Sequence, residues 1–182
     1  PVSGTISSNT TWAATDSPFQ VTGNVTVASG VTLTIEPGVV VKFDSGKVLE
    51  VEGTLVARGT PTSTVTFTSS AASPAAGDWG YIKFTASSTD ATLVDGVYQS
   101  GSVIAYSRVE YAEVAIWVRN ASPFIYNNSI FYNAGYDLGG NVGGSGVLFD
   151  GGAPVLAGNT ISNGQSHAAV ELYNSSGAVV QE

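Results

Sequence analysis

A six-residue pattern recurs in the second half of the chain and restricts its fold more than any other feature. Ile125-x-x-Asn128-x-Ile130 matches Leu156-x-x-Asn159-x-Ile161, Val179-x-x-Glu182 opens a further copy, and Ile104-x-x-Ser107-x-Val109 precedes them as a weaker one. The copies start 21, 31 and 23 residues apart. The longest spacing is explained by a Gly-rich insert across residues 131–146. Ahead of the pattern, Ala115-Ile116-Trp117-Val118-Arg119-Asn120 lines up with Gly146-Val147-Leu148-Phe149-Asp150-Gly151 and with Ala169-Val170-Glu171-Leu172-Tyr173-Asn174. A period near 23 holding several short strands is one coil of a parallel β-solenoid. No coil can bury its own inner face, so coils must stack.

The local pattern agrees. Val25-Thr26-Val27, Leu33-Thr34-Ile35, Val41-Lys42-Phe43, Leu49-Glu50-Val51 and Val65-Thr66-Phe67 each alternate apolar and polar residues, the signature of a strand with one buried face. Short corners such as Ala28-Ser29-Gly30, Glu36-Pro37-Gly38 and Asp44-Ser45-Gly46 separate them. No stretch carries helical apolar spacing, and 24 valines beside 40 serines and threonines favour strands. Stacking then predicts inward ladders: Ile116, Val147 and Val170; Val118, Phe149 and Leu172; Ile125, Leu156 and Val179; Ile130 and Ile161. Asn128 and Asn159 fall at corners, where Asn side chains bond backbone. Outside, Arg119 is expected over Asp150 and Glu50 over Lys83. The expected fold is an all-β, right-handed parallel β-helix of roughly eight coils. Residues 1–18 read as an irregular cap with Trp12 as a plug, and residues 19–182 as the helix.

Composition bounds the chemistry. Six Lys and Arg against fourteen Asp and Glu give a net charge of −8, a sign that phosphate backbones repel, so no nucleic-acid partner is expected. No apolar run reaches the length of a membrane-spanning helix, so no membrane insertion is expected. The absence of cysteine removes disulfides, thiolate metal sites and thiol nucleophiles. Methionine is absent too, which reads as a processed form or an excised segment.

The run Gly23-Asn24-Val25-Thr26-Val27-Ala28-Ser29-Gly30-Val31-Thr32-Leu33-Thr34-Ile35-Glu36-Pro37-Gly38-Val39-Val40-Val41-Lys42-Phe43 resembles the opening coils of secreted right-handed parallel β-helix repeat proteins of the pectate-lyase-like superfamily. Thr64-Val65-Thr66-Phe67-Thr68-Ser69 and Asp78-Trp79-Gly80-Tyr81-Ile82-Lys83-Phe84 are similar to the next segment of that group. The resemblance implies a solenoid from a secreted or surface protein. It does not imply lyase activity, because the shared pattern is one of packing. The superfamily's Asp-Asp, Gly-His-Gly and Arg-x-Lys signatures are missing.

No catalytic constellation emerges, and a non-enzymatic chain is expected. Hydrolysis of a glycoside needs two carboxylates on one face. Glu50 and Glu52 share a strand face beside Lys83, and Glu110 and Glu113 are three residues apart; both pairs read as solvated faces. His167, the single histidine, has no local partner. Asp137 and Asn141 in the Gly-rich insert are weak candidates for Ca²⁺, without the dense acidic spacing of established calcium loops; no other cofactor is implied. The strongest surface signal is aromatic. Trp117, Phe124 and Tyr126 are expected to face outward, with Tyr132 and Tyr136 nearby, as a platform for a sugar ring or a protein partner, unless covered locally. Asn9, Asn24, Asn120, Asn127 and Asn174 each begin an N-x-S/T sequon. The expected role is a non-catalytic extracellular or cell-surface structural or adhesive solenoid, associating with its own copies end to end through terminal coils. The alternative is a carbohydrate-binding module, or part of a polysaccharide-active protein.

Overall fold

A computed structural model describes residues 1–134, 146–162, 169–174 and 177–181. The chain winds through short strands. The first coil is β1 (Val2–Ile6), β2 (Thr10–Trp12) and the start of β3 (Phe19–Val27); the second is the end of β3 with β4 (Thr32–Ile35) and β5 (Val40–Phe43). β6 (Leu49–Val51), β7 (Thr54–Arg58) and β8 (Val65–Ser69) make the third. The fourth runs through β9 (Trp79–Phe84), an inserted hairpin of β10 (Thr92–Val94) and β11 (Val97–Ser100), then β12 (Val103–Ala105) and β13 (Ser107–Glu110). β14 (Ala112–Arg119), β15 (Phe124–Tyr126) and β16 (Ser129–Phe131) make the fifth; β17 (Val147–Asp150), β18 (Val155–Ala157) and β19 (Thr160–Ser162) make the sixth. β20 (Val170–Tyr173) and β21 (Val179–Gln181) belong to a seventh.

Each strand pairs in parallel with its counterparts one coil away, giving three faces. The first face holds β1, the end of β3, β6, β9, β14, β17 and β20. The second holds β2, β4, β7, β12, β15, β18 and β21. The third holds the start of β3, β5, β8, β13, β16 and β19. Strand β3 serves two faces, pairing with β5 through Phe19–Val21 and with β6 through Val25–Val27. Only the hairpin is antiparallel among the named strands. The molecule is a right-handed parallel β-helix.

One residue column per strand position fills the interior. Val25, Leu49, Ile82, Ile116 and Val147 stack on the first face, with Val27, Val51, Phe84, Val118 and Phe149 beside them. Phe43 stacks on Trp79 at 4.1 Å between ring centres, and the Trp79 indole donates to the Glu110 carbonyl at 2.9 Å. At the corner between the second and third faces an asparagine ladder satisfies buried backbone. Asn128 accepts from the Ser107 amide at 2.8 Å and donates to the Ile104 carbonyl at 2.9 Å. Asn159 repeats this one coil on, accepting from the Asn128 amide and donating to the Ile125 carbonyl, each at 2.9 Å. Such buried groups are costly to leave unpaired.

Four expectations are corrected. The described residues trace six complete coils and two strands of a seventh, fewer than the eight obtained from the period, because the inserts lengthen some coils. Residues 1–18 are not an irregular cap: β1 and β2 lie in parallel register with β3 and β4. Trp12 is therefore a core residue of β2, stacked on Phe19 at 5.0 Å, and not a plug. The partner of Leu156 is Val180, not Val179, because the corner before β21 is one residue longer than those before β15 and β18, and a one-residue shift reverses the face.

Candidate functional site

The aromatic candidates do not form one platform. Trp117 stands outward on the first face between Lys83 and Leu148. The Lys83 ammonium sits 4.9 Å from its ring centre and Tyr81 meets it edge-on at 5.3 Å. Lys83 also pairs with Glu50 at 2.9 Å, the cross-coil contact expected from the register. Trp117 is thus enclosed by its own face and half-buried. Tyr132 lies at the corner between the third and first faces, 55% exposed and stacked on Tyr111 at 5.7 Å. Tyr136, Asp137, Asn141 and His167 lie outside the described residues.

Phe124 and Tyr126 share the outer surface of the second face, and there the inserted hairpin changes the picture. Leu93 and Tyr98 of the hairpin pack against Val103, Ala105 and Phe124 as a second apolar cluster, outside the solenoid wall. The Phe124 ring lies between Tyr98, 6.4 Å away, and Tyr126, 5.2 Å away, both nearly parallel to it. It is only 7% exposed, so it chiefly holds the hairpin down and contributes only a small part of the lining of the concavities on either side. The hairpin turns through Asp95 and Gly96, both at positive φ, and the Tyr98 hydroxyl donates to the Gly101 carbonyl at 2.7 Å. Its neck is fastened by the Ser102 amide to the Thr89 carbonyl at 3.0 Å.

Two concavities stay open beside the hairpin: a groove of about 280 Å³ lined by Arg58, Tyr98, Tyr106 and Tyr126, and a hollow of about 520 Å³ toward the later coils, lined by Leu93, Tyr126, Val155 and Val179. A third cavity, of about 470 Å³, continues from the groove on the third-face side, lined by Tyr106, Arg108, Asn127, Ser129 and Phe131. Burial pushes the Tyr98 phenol above its ordinary value, and the Arg58 charge opposes this to a smaller degree. The guanidinium of Arg58 is 5.0 Å from the Tyr98 ring centre, and no carboxylate pairs with it among the described residues. Aromatic faces, hydroxyls, amides and a guanidinium in one concavity are the groups that stack on and hydrogen-bond to sugars.

The carboxylates are engaged elsewhere. Buried Glu110 accepts from the Thr68 hydroxyl at 2.9 Å and pairs with Arg108 at 2.7 Å, while Glu113, beyond the corner at Tyr111, is exposed. Arg119 meets Asp150 at 3.5 Å, as the register required. Among the described residues no group of three His, Cys, Asp or Glu could hold a metal, and no helix is long and apolar enough to cross a membrane. Of the sequons, Asn9, Asn24, Asn120 and Asn174 are exposed and Asn127 is half-buried against Gly158. Residues 175 and 176 of the Asn174 sequon lie outside the described residues.

Arg58, Tyr98 and Tyr106 were not among the sequence candidates. The signal for Tyr98 was present: Val94-Asp95-Gly96-Val97 is an Asp-Gly dipeptide between apolar residues, the strongest short hairpin signature. No curated protein and no solved structure matches the chain. The family model described as pectate-lyase like beta helix domain matches residues 4–121, most of the chain and all of its first four coils but the first three residues. With the stacked parallel coils and the three continuous faces, that match settles the family: the chain belongs to the pectate-lyase-like β-helix domain proteins.

Proposed function

We propose that this chain is a non-catalytic, extracellular β-solenoid whose second face binds polysaccharide. Membership of a pectate-lyase-like β-helix family supports a polysaccharide-related or structural role. The observation that carries the finer reading is the groove beside the hairpin, where Tyr98, Tyr106 and Tyr126 surround an Arg58 that has no carboxylate partner among the described residues. One member of each acidic pair is tied up, Glu50 with Lys83 and Glu110 with Thr68 and Arg108. The reading therefore uses the groove for adhesion to glycan and leaves the terminal coils out of it.

The test is affinity electrophoresis through gels holding soluble plant, fungal or bacterial polysaccharides, comparing the wild type with Tyr126→Ala and Arg58→Ala. Retardation of the wild type by at least one polysaccharide is expected. Each variant should lose about tenfold in affinity, roughly 1.4 kcal/mol. A wild type that no polysaccharide retards, or variants retarded equally, would overturn the reading.

A further inference from the structure

At the corner between the second and third faces, four successive coils place one residue each in a column: Gly59, Tyr106, Asn127 and Gly158. The column is regular in its backbone bonding. Gly59 donates to the Ala105 carbonyl at 2.9 Å, Tyr106 to Tyr126 at 3.1 Å, Asn127 to Ala157 at 3.0 Å and Gly158 to Gln181 at 3.1 Å. Tyr106, Asn127 and Gly158 all have positive φ, of 48°, 52° and 61°. Glycine and asparagine enter that region readily, whereas a bulky side chain is an outlier there. Tyr106 is thus the residue whose conformation the corner does not favour, and its ring stands edge-on to Tyr126 at 5.6 Å.

The ring has a further distinction: Tyr106 lines both the groove beside the hairpin and the cavity on the third-face side. Taken alone, the groove of about 280 Å³ falls just short of the ~300–1,000 Å³ of a typical ligand site, and the cavity of about 470 Å³ lies in the lower half of that range. We infer that Tyr106 joins them into one trough that takes an extended oligosaccharide across the corner, and that the strained tyrosine is kept for this contact. The inference rests on the polysaccharide reading above. It adds that the ligand is a chain of several sugars, held on both sides of one residue.

The experiment uses two substitutions on the full chain. Tyr106→Asn places in the column the residue found one coil on, which suits the backbone; Tyr106→Phe keeps the ring and the strain. The probes are cello-, xylo-, chito- and galacturono-oligosaccharides from di- to hexasaccharide, read by calorimetry beside thermal melting. Wild-type affinity should rise with length, at least tenfold from di- to hexasaccharide. Tyr106→Asn should abolish that rise while its melting temperature stays within about 3 °C of the wild type or exceeds it. Tyr106→Phe should retain most of it. Length-dependent binding that survives Tyr106→Asn overturns this inference and leaves the polysaccharide reading standing. A melting temperature that falls well beyond that margin in Tyr106→Asn also overturns it, because the ring is then held for packing. A wild type that binds no oligosaccharide of any length and no polysaccharide removes both.

Discussion

The guanidinium of Arg58 lies 5.0 Å from the centre of the Tyr98 ring, so a cation carried on the solenoid wall closes against an aromatic carried on the inserted hairpin. Burial raises the Tyr98 phenol and Arg58 lowers it by less. A raised phenol keeps a proton that the unfolded chain releases. It therefore leaves stability unchanged at neutral pH and removes it as pH rises past the ordinary phenol value of about 10. In an ultraviolet phenolate titration, the signal missing from Tyr98→Phe should be a late-titrating part of the wild-type curve, and Arg58→Ala should move it later still. A Tyr98 signal coincident with the exposed tyrosines would contradict the packing of the hairpin.

Phe124 looked like a ligand-facing residue from its parity, and its sandwiching between Tyr98 and Tyr126 makes it a structural one. Phe124→Ala should cost about 3 kcal/mol in denaturant unfolding, the order found for buried Phe→Ala changes. Phe124→Leu should recover most of it. A cost below about 0.5 kcal/mol, the level of a neutral surface change, would mean that the hairpin does not rest on this ring.

Asn128 is buried and serves two backbone groups of the preceding coil, the Ser107 amide and the Ile104 carbonyl, and the Asn159 side chain of the following one. Asn128→Ala strands the Ser107 amide and the Ile104 carbonyl inside the corner. We expect a loss of about 2–3 kcal/mol, and a melting temperature lower by roughly 5–10 °C. Asn159→Ala, in a half-buried copy of the same position, should cost less.

Gly101 sits at φ 89°, and a methyl group there would lie 1.9 Å from the Asp90 carbonyl oxygen. Gly101→Ala should force the neck of the hairpin apart while the stacked coils stay folded. Limited proteolysis should then cut within residues 90–101 before anywhere else among the described residues. A cleavage pattern identical to the wild type would show that the neck tolerates the methyl.

On the acid side, Asp44 accepts hydrogen bonds from Ser70 and Gln20, which hold its carboxyl below the ordinary aspartate value, with Lys47 adding a smaller pull. A lowered carboxyl stabilises the fold above the ordinary value, and the contribution disappears as pH falls through the depressed one. The stability difference between the wild type and Asp44→Asn should therefore be constant near neutral pH and shrink on acidification below about pH 4. A difference that grows on acidification would have the wrong sign for this contact.

How much of this could be read in advance depends on what each residue's surroundings are. Ladders such as Ile116–Val147–Val170, and the contacts of Glu50 with Lys83 and Arg119 with Asp150, were legible because equivalent residues one coil apart must stack. Residues 1–18 were misread because β1 and β2 are short and largely polar on their outer side, which leaves alternation little to show. The aromatic run was legible as composition and not as a surface. Trp117, Tyr126 and Tyr132 fall on different sides of corners, and a linear count cannot see around a corner. Tyr98 escaped notice because it reaches the site from an insertion that has no counterpart in the other coils.

The insertion is closed at its base. Ser102 donates to Thr89, and Thr89 donates to Gly53 of the coil below, so the residues between leave the solenoid and return to nearly the same point. In the third coil the same distance is covered by Gly53, Thr54 and Leu55. A chain in which Thr89 runs to Ser102 through a single glycine would still complete its turn, but would give up the bonds that Asp90 and Ala91 make to Ser122 of the next coil. The accessory is thus tied to the rod at its neck, at Ser122 and through side-chain packing on Phe124, and its strands pair with none of those of the stacked coils: its outer part can be shortened or exchanged without moving their register.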